Sequence, residues 1–142
     1  MAELSGKSII GFQQGLGEAT IFGINPVTGE SLQPGYAAAS EDELERAADL
    51  ATGAFATFGK SSGADRAAFL RKIADNIERI VDDLAALAPQ ETGLPEGRIR
   101  METGRTCGQL RLFASVVEDG SWVDARIDHA DPERAPVPKP DI

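Results

Sequence analysis

Residues 65–94 read DRAAFLRKIADNIERIVDDLAALAPQETGL and set Leu70, Ile73, Ile77, Ile80, Leu84 and Leu87 at alternating steps of three and four. Such spacing lays all six along one side of a helix, and that side must be buried. The opposite side carries Arg71, Lys72, Asp75, Asn76, Glu78, Arg79, Asp82 and Asp83, with several charges four apart and of opposite sign. It is suited to water. The pattern covers too few heptads for a coiled coil and is interrupted by Pro89, so it specifies an amphipathic helix on a globular core. Glu78, Asp82 and Asp83 crowd one exposed turn, which predicts a slight break near Ile80. Pro89 lacks a backbone donor, so the helix is expected to end or kink before it, with Gly93 and Pro95 closing the segment.

The other elements follow from local signals. Residues 8–12 and 19–24 are β-branched or aromatic runs joined by a glycine-containing stretch, and they predict an N-terminal hairpin. Asn25-Pro26-Val27-Thr28-Gly29-Glu30 predicts a tight turn into a third short strand near Ser31 and Leu32. Ser40 with Glu43 three residues on is a capping box, so a helix should run over residues 41–58 until Gly59, Ser61, Ser62 and Gly63 break it. Another helix is expected over about residues 96–117, with Ile99, Thr103, Thr106, Leu110, Phe113 and Val117 as its stripe. Gly104 and Gly108 cost this helix about 1 kcal/mol each relative to Ala, which predicts another backbone close by. Beyond Asp119 the periodicity dissolves: Trp122, Val123 and Ile127 stand isolated, and four prolines hold the last residues extended, as a connection between two elements would be.

The charge balance narrows the partners. The net charge is −9, with 15 acids against 7 bases in residues 1–97 and 8 against 7 in residues 98–142. Neither part offers the positive footprint that a nucleic acid or an anionic membrane surface requires. The single cysteine, the absence of a signal-like N-terminus and the lack of any apolar run of membrane-spanning length point to the cytoplasm. With 21 Ala and eight aromatic residues among 142, the length is that of one domain but the core volume is modest.

The usual catalytic motifs are lacking. Cys107 sits mid-helix between Thr106 and Gly108 and reads as a small buried thiol, and His129 reads as a solvated loop residue beside Asp128 and Asp131. Gly15-Leu16-Gly17 lacks the third glycine and the following helix of a dinucleotide loop, and no P-loop, HExxH, CxxC pair or GxSxG occurs.

The order FGINPVTGE, a capped helix, RAAFLRKIADNIE, ETGLP and GRTCGQLRLFASVVEDGSW resembles the N-terminal portion of the aldehyde dehydrogenase superfamily, over about residues 5–141. Within it, the sequence is most similar to the branch that oxidises 2-oxoglutarate semialdehyde (2,5-dioxopentanoate) to 2-oxoglutarate with NADP or NAD. The resemblance implies that the Rossmann-like cofactor site, the nucleophilic Cys, the general-base Glu and the oxyanion-hole Asn lie beyond Ile142, and that Cys107 matches none of them. It also implies that one face of the helix over residues 96–117 lines the substrate entrance. Arg105, Gln109 and Phe113 would then point toward the tunnel, with Arg105 holding the substrate carboxylate by a bidentate pair. The other reading of Arg105, an ion pair with Glu102 on a solvated face, stays open.

The expectation is therefore an α+β segment, mainly helical with an N-terminal β-hairpin, forming part of the aldehyde dehydrogenase α/β fold. Residues 1–36 would hold the hairpin and turn, 41–118 the helices and 119–142 an extended linker. No catalytic, cofactor-binding or metal-ligating residue is assigned within the chain; the NADP or NAD and the small aldehyde substrate belong to the parent enzyme. The segment alone should be inactive and should self-associate or form a homo-oligomer. The alternative is a free-standing, non-catalytic helical module for interaction or assembly.

Overall fold

The computed structural model describes residues 5–126 and 128–141, so Ile127 lies outside the described residues. The elements run β1 (Ile9–Ile10), β2 (Gln13–Gln14), β3 (Ala19–Ile21), β4 (Tyr36–Ala37), α1 (Glu41–Phe58), α2 (Gly63–Arg79), α3 (Val81–Thr92) and α4 (Glu96–Asp119), followed by a single 3-10 turn at Ser121–Val123.

A hairpin does form at the N-terminus, but not from the two runs expected to pair. β1 pairs antiparallel with β2 across a tight turn in which Gly11 has φ +62°, and β3 pairs antiparallel with β4 instead. Strands of two or three residues carry too little side-chain pattern to select their partners, and here turn geometry decides. The 25–30 turn is as expected. Asn25 Oδ1 accepts from the backbone N–H groups of Val27 (2.9 Å) and Thr28 (3.2 Å), Gly29 takes φ +74°, and Ile24 bridges to Ser31.

α1 starts where its capping box places it: Ser40 Oγ accepts from Glu43 N–H at 3.2 Å, and Glu43 Oε2 accepts from Ser40 N–H at 3.1 Å. α2 is capped in turn by Ser62, whose Oγ accepts from Asp65 N–H. The break at Ile80 is real, with φ −107° and ψ 13° between α2 and α3.

Pro89 corrects an expectation, since α3 runs through it to Thr92 and ends only at Gly93, which has φ 71° and donates its N–H to Pro89 O at 2.9 Å. A proline forfeits one backbone bond, here the one to the carbonyl of Ala85. The last turn gains others, because Gln90 Nε2 donates to Ala86 O (3.0 Å) and Thr92 Oγ1 donates to Ala88 O (2.6 Å).

The packed centre is the antiparallel pair α2 and α4, with α3 alongside α4. Its buried residues are small: Ala67 and Ala74 from α2, Ala85 from α3, and Thr103, Cys107 and Ala114 from α4. The steps of seven from 67 to 74 and from 107 to 114 keep these contacts on one seam, where alanine lets the axes approach closely. The six aliphatics singled out in the sequence are therefore only half covered; Leu70, Ile73, Ile77, Leu84 and Leu87 flank the seam, and Ile80 is exposed. Gly63 belongs to the same close approach, since a Cβ there would stand 2.3 Å from Val117 O.

Three arginines fasten the seam from outside. Arg71 reaches Glu118, Arg111 reaches Asp75 and Glu78, and Arg100 reaches Asp82 and Glu96. Tyr36 OH donates to Glu91 Oε1 at 3.1 Å and ties β4 to α3; desolvation, then the Glu91 carboxylate, push its phenol above the ordinary value. Past α4, Asp131 and Lys139 form an isolated antiparallel bridge that folds the proline-rich stretch back on itself.

Candidate functional site

α4 is a 24-residue helix, and its length and straight register put three different surfaces to use. One is the seam just described. There Cys107 is 1% exposed and its Sγ–H donates to Ala74 O at 3.6 Å, so the thiol is a packing group as expected. The second carries Gly104 and Gly108. Nothing lies within 4 Å of a Cβ built on either glycine, so the close backbone expected there is not found among the described residues. Both glycines are one residue out of phase with Thr103 and Cys107 and so turn away from α2.

The third surface is the site. Steps of three and four from Glu102 through Arg105, Thr106, Gln109 and Leu110 to Phe113 hold these side chains on one edge of α4. With Leu70 of α2 they line an open groove of about 480 Å³. Arg105, Gln109 and Phe113, grouped at a substrate entrance by the family resemblance, all line this groove; Leu70 joins them only because the helix pairing brings it there. Toward α3 a second groove of about 420 Å³ continues past Ile77, Ile80, Leu84, Ala88 and Ile99, and it shares Glu102 and Thr106 with the first. The apolar stripes of α2, α3 and α4 thus face a common trough instead of closing on each other.

The electrostatics of the groove lie at its α4 edge. The Arg105 side chain is 77% exposed, with Nη1 4.0 Å from Glu102 Oε2, beyond hydrogen-bond reach. Glu102 is held more closely by Arg98, whose Nη2 stands 2.6 Å from Oε1. Phe113 is 56% exposed and offers a ring face one turn beyond Gln109. Chemically the groove presents a planar cation, an amide and an apolar floor, with the Glu102 carboxylate at the edge paired to Arg98. That set suits a small molecule with a carboxylate at one end and a carbon chain behind it.

The chain's other chemistry-bearing groups are placed elsewhere. His129 is exposed in the loop next to Asp128, which pairs with Lys139. Among the described residues no three His, Cys, Asp or Glu side chains converge as metal ligands. The Gly15-Leu16-Gly17 stretch does not fit a nucleotide phosphate, because Glu43 already fills it: Oε1 accepts the Leu16 N–H at 2.8 Å and would stand 2.8 Å from a Cβ on Gly15. The backbone N–H of Leu16, then that of Ser40, hold the Glu43 carboxyl below its ordinary pKa, so a second anion would meet a fixed negative charge. No described helix is long and apolar enough to cross a membrane.

Comparison with known proteins agrees with this architecture. Residues 13–133 match the aldehyde dehydrogenase family. Alpha-ketoglutaric semialdehyde dehydrogenase 2 of Azospirillum brasilense is 44% identical over 142 residues, covering 99% of this chain and 27% of that protein. Alpha-ketoglutaric semialdehyde dehydrogenase of Acinetobacter baylyi is 41% identical over 143 residues, covering 100% of this chain and 27% of that protein. The crystal structure of an NAD-dependent benzaldehyde dehydrogenase from Corynebacterium glutamicum superposes with a TM-score of 0.72 at 20% identity, over 95% of this chain and 28% of that one. The chain thus spans about 27% of the length of these curated relatives, and its helices and small hairpins form an α+β segment of their fold. With most of its length matched, the chain belongs to the aldehyde dehydrogenase family.

Proposed function

We propose that the chain acts as the N-terminal segment of an NAD(P)-dependent enzyme that oxidises 2-oxoglutarate semialdehyde to 2-oxoglutarate, and that its α4 groove receives the carboxylate end of that substrate. The carrying observation is that Arg105, Gln109 and Phe113 share one groove in a chain that matches two alpha-ketoglutaric semialdehyde dehydrogenases over at least 99% of its length. Arg105 would donate two N–H groups to the carboxylate, and Gln109 Nε2 would donate a third. Leu70, Leu110 and Phe113 would cover the methylenes and exclude water, leaving the aldehyde carbon directed away from α4. The nicotinamide supplies the hydride acceptor when bound; at Gly15-Leu16-Gly17 the Glu43 carboxylate already takes the Leu16 N–H that a phosphate would need. The oxidation itself would rest on groups outside the chain, because the Cys107 thiol is enclosed in the seam against Ala74 and does not line the groove.

The test is Arg105→Met in an aldehyde dehydrogenase carrying this segment. Catalytic efficiency on 2-oxoglutarate semialdehyde should fall by about tenfold to a hundredfold, the worth of a charge-assisted hydrogen bond, while simple alkyl aldehydes are spared. Equal losses on both substrates would show Arg105 to be structural. The 142-residue chain by itself should give no turnover with either nicotinamide cofactor; activity that survives repurification would overturn that part.

A second reading, a non-catalytic interaction or assembly module, draws support from the uncovered apolar trough. It would be preferred if the 142-residue chain proved a compact monomer with one sharp unfolding transition.

A further inference from the structure

We propose that Arg98 is a positioning residue for carboxylate recognition: by holding Glu102, it keeps the Arg105 guanidinium open to a ligand. The inference rests on the reading of the groove given above and adds to it a named source of control. Glu102 lies between two guanidiniums on the same helix, four residues after Arg98 and three before Arg105. Its Oε1 is 2.6 Å from Arg98 Nη2, a close ion pair, whereas its Oε2 is 4.0 Å from Arg105 Nη1. Glu102 and Arg105 both line the groove, while Arg98 does not. The carboxylate is therefore a built-in competitor for the cation that a ligand needs.

Two effects follow from releasing it. A small rotation would bring Glu102 onto Arg105, so an incoming carboxylate would have to displace it. Its charge, no longer offset by Arg98, would also repel an anionic ligand at the mouth of the groove. Both act in the same direction, and both vanish when Glu102 is made neutral. Because the three side chains are 52%, 40% and 77% exposed in the order Arg98, Glu102 and Arg105, solvent screening keeps the effect modest.

The test uses the 142-residue chain and 2-oxopentanoate, an unreactive 2-oxo acid with a five-carbon chain, with 2-pentanone as the uncharged control. Binding is followed through the arginine Nε–Hε signals by NMR in the wild type, R98M, E102Q, R98M/E102Q and R105M. Arg98→Met should weaken 2-oxopentanoate binding about two- to fivefold, the range of an exposed ion pair, and leave the weak 2-pentanone response as it was. Glu102→Gln should bind at least as tightly as wild type, and R98M/E102Q should match E102Q, a rescue that a merely structural Arg98 would not show. Arg105→Met should lose the preference for the acid over the ketone. If R105M loses it but R98M binds as wild type, or if E102Q fails to rescue R98M, the role of Arg98 is overturned and the groove reading stands. If R105M keeps the preference, or the wild type has none, both are overturned.

Discussion

Arg111 on α4 donates to both carboxylate oxygens of Glu78 on α2, at 2.6 and 2.8 Å, and also to Asp75 at 2.9 Å. The hydrogen bonds to Glu78, then to Asp75, raise the Arg111 pKa further, while Arg111 in return holds the Glu78 carboxyl below its ordinary value. A depressed carboxylate contributes stability that is fully present above its unfolded pKa, about 4.3, and is lost as pH falls through the folded value. Glu118, lowered by its hydrogen bonds to Arg71, adds to the same trend. The urea midpoints of wild type and Arg111→Ala should therefore differ most near neutrality and converge as the pH drops below 4. A gap that widens in acid would contradict this clamp.

Glycines on the two sides of the helix pair should respond oppositely to a methyl group. Gly63→Ala drives a Cβ toward Val117 O, whose distance would be 2.3 Å, so α2 and α4 must separate at a cost of about 1 to 3 kcal/mol. Gly104→Ala and Gly108→Ala meet nothing within 4 Å and should stabilise the isolated chain by about 1 kcal/mol each. Equilibrium unfolding in urea distinguishes the signs. The same two alanines placed in a longer enzyme would be harmful if another backbone packs there, which gives the expectation drawn from the sequence a direct test.

The seam itself tolerates no added volume. Ala74 and Ala114 are both fully buried where the helices meet. Ala74→Leu should cost about 1 to 3 kcal/mol through overpacking, read as a lower urea midpoint. Cys107, 1% exposed beside Ala74, should resist alkylation in the native chain and react once Ala74→Leu has loosened the pair. Rapid alkylation of the wild type would show that the seam opens readily.

The open trough predicts association. Phe113, Phe69 and Ile80 stand exposed around the α2–α4 pair, on a chain whose net charge of −9 works against contact between copies. Burying even a few such side chains is worth about 1.5 to 3 kcal/mol each, enough to overcome screened repulsion at physiological salt. Sedimentation should show concentration-dependent self-association of the 142-residue chain, stronger at high salt. A monomer at all concentrations would sink it.

The helices were legible because their information is local. The Ser40 and Glu43 pair fixes the start of α1, and the crowding of Glu78, Asp82 and Asp83 marks the break at Ile80. Arg105, Gln109 and Phe113 were grouped only by the family resemblance, since spacing by itself set Phe113 in the apolar stripe of the helix with Leu110. What was not legible is what two elements decide jointly. The partner of β1 depends on a turn, the passage of α3 through Pro89 on side-chain bonds from Gln90 and Thr92, and the choice of Ala67 and Ala74 over the larger aliphatics as the buried line on how closely α4 approaches.

α1 has no buried residue along its 18 positions, and apart from its last residue Phe58, which meets Phe69 edge-on and lies under the Arg66 guanidinium, it leans on the small hairpin more than on the helix pair. Detaching it would uncover little apolar surface, so its opening needs far less free energy than separating α2 from α4. The chain is then two-tiered, a slow-exchanging helix pair with a fast-exchanging arm, and a protease sampling native openings should cut first near the exposed Gly53, leaving the groove-bearing half intact.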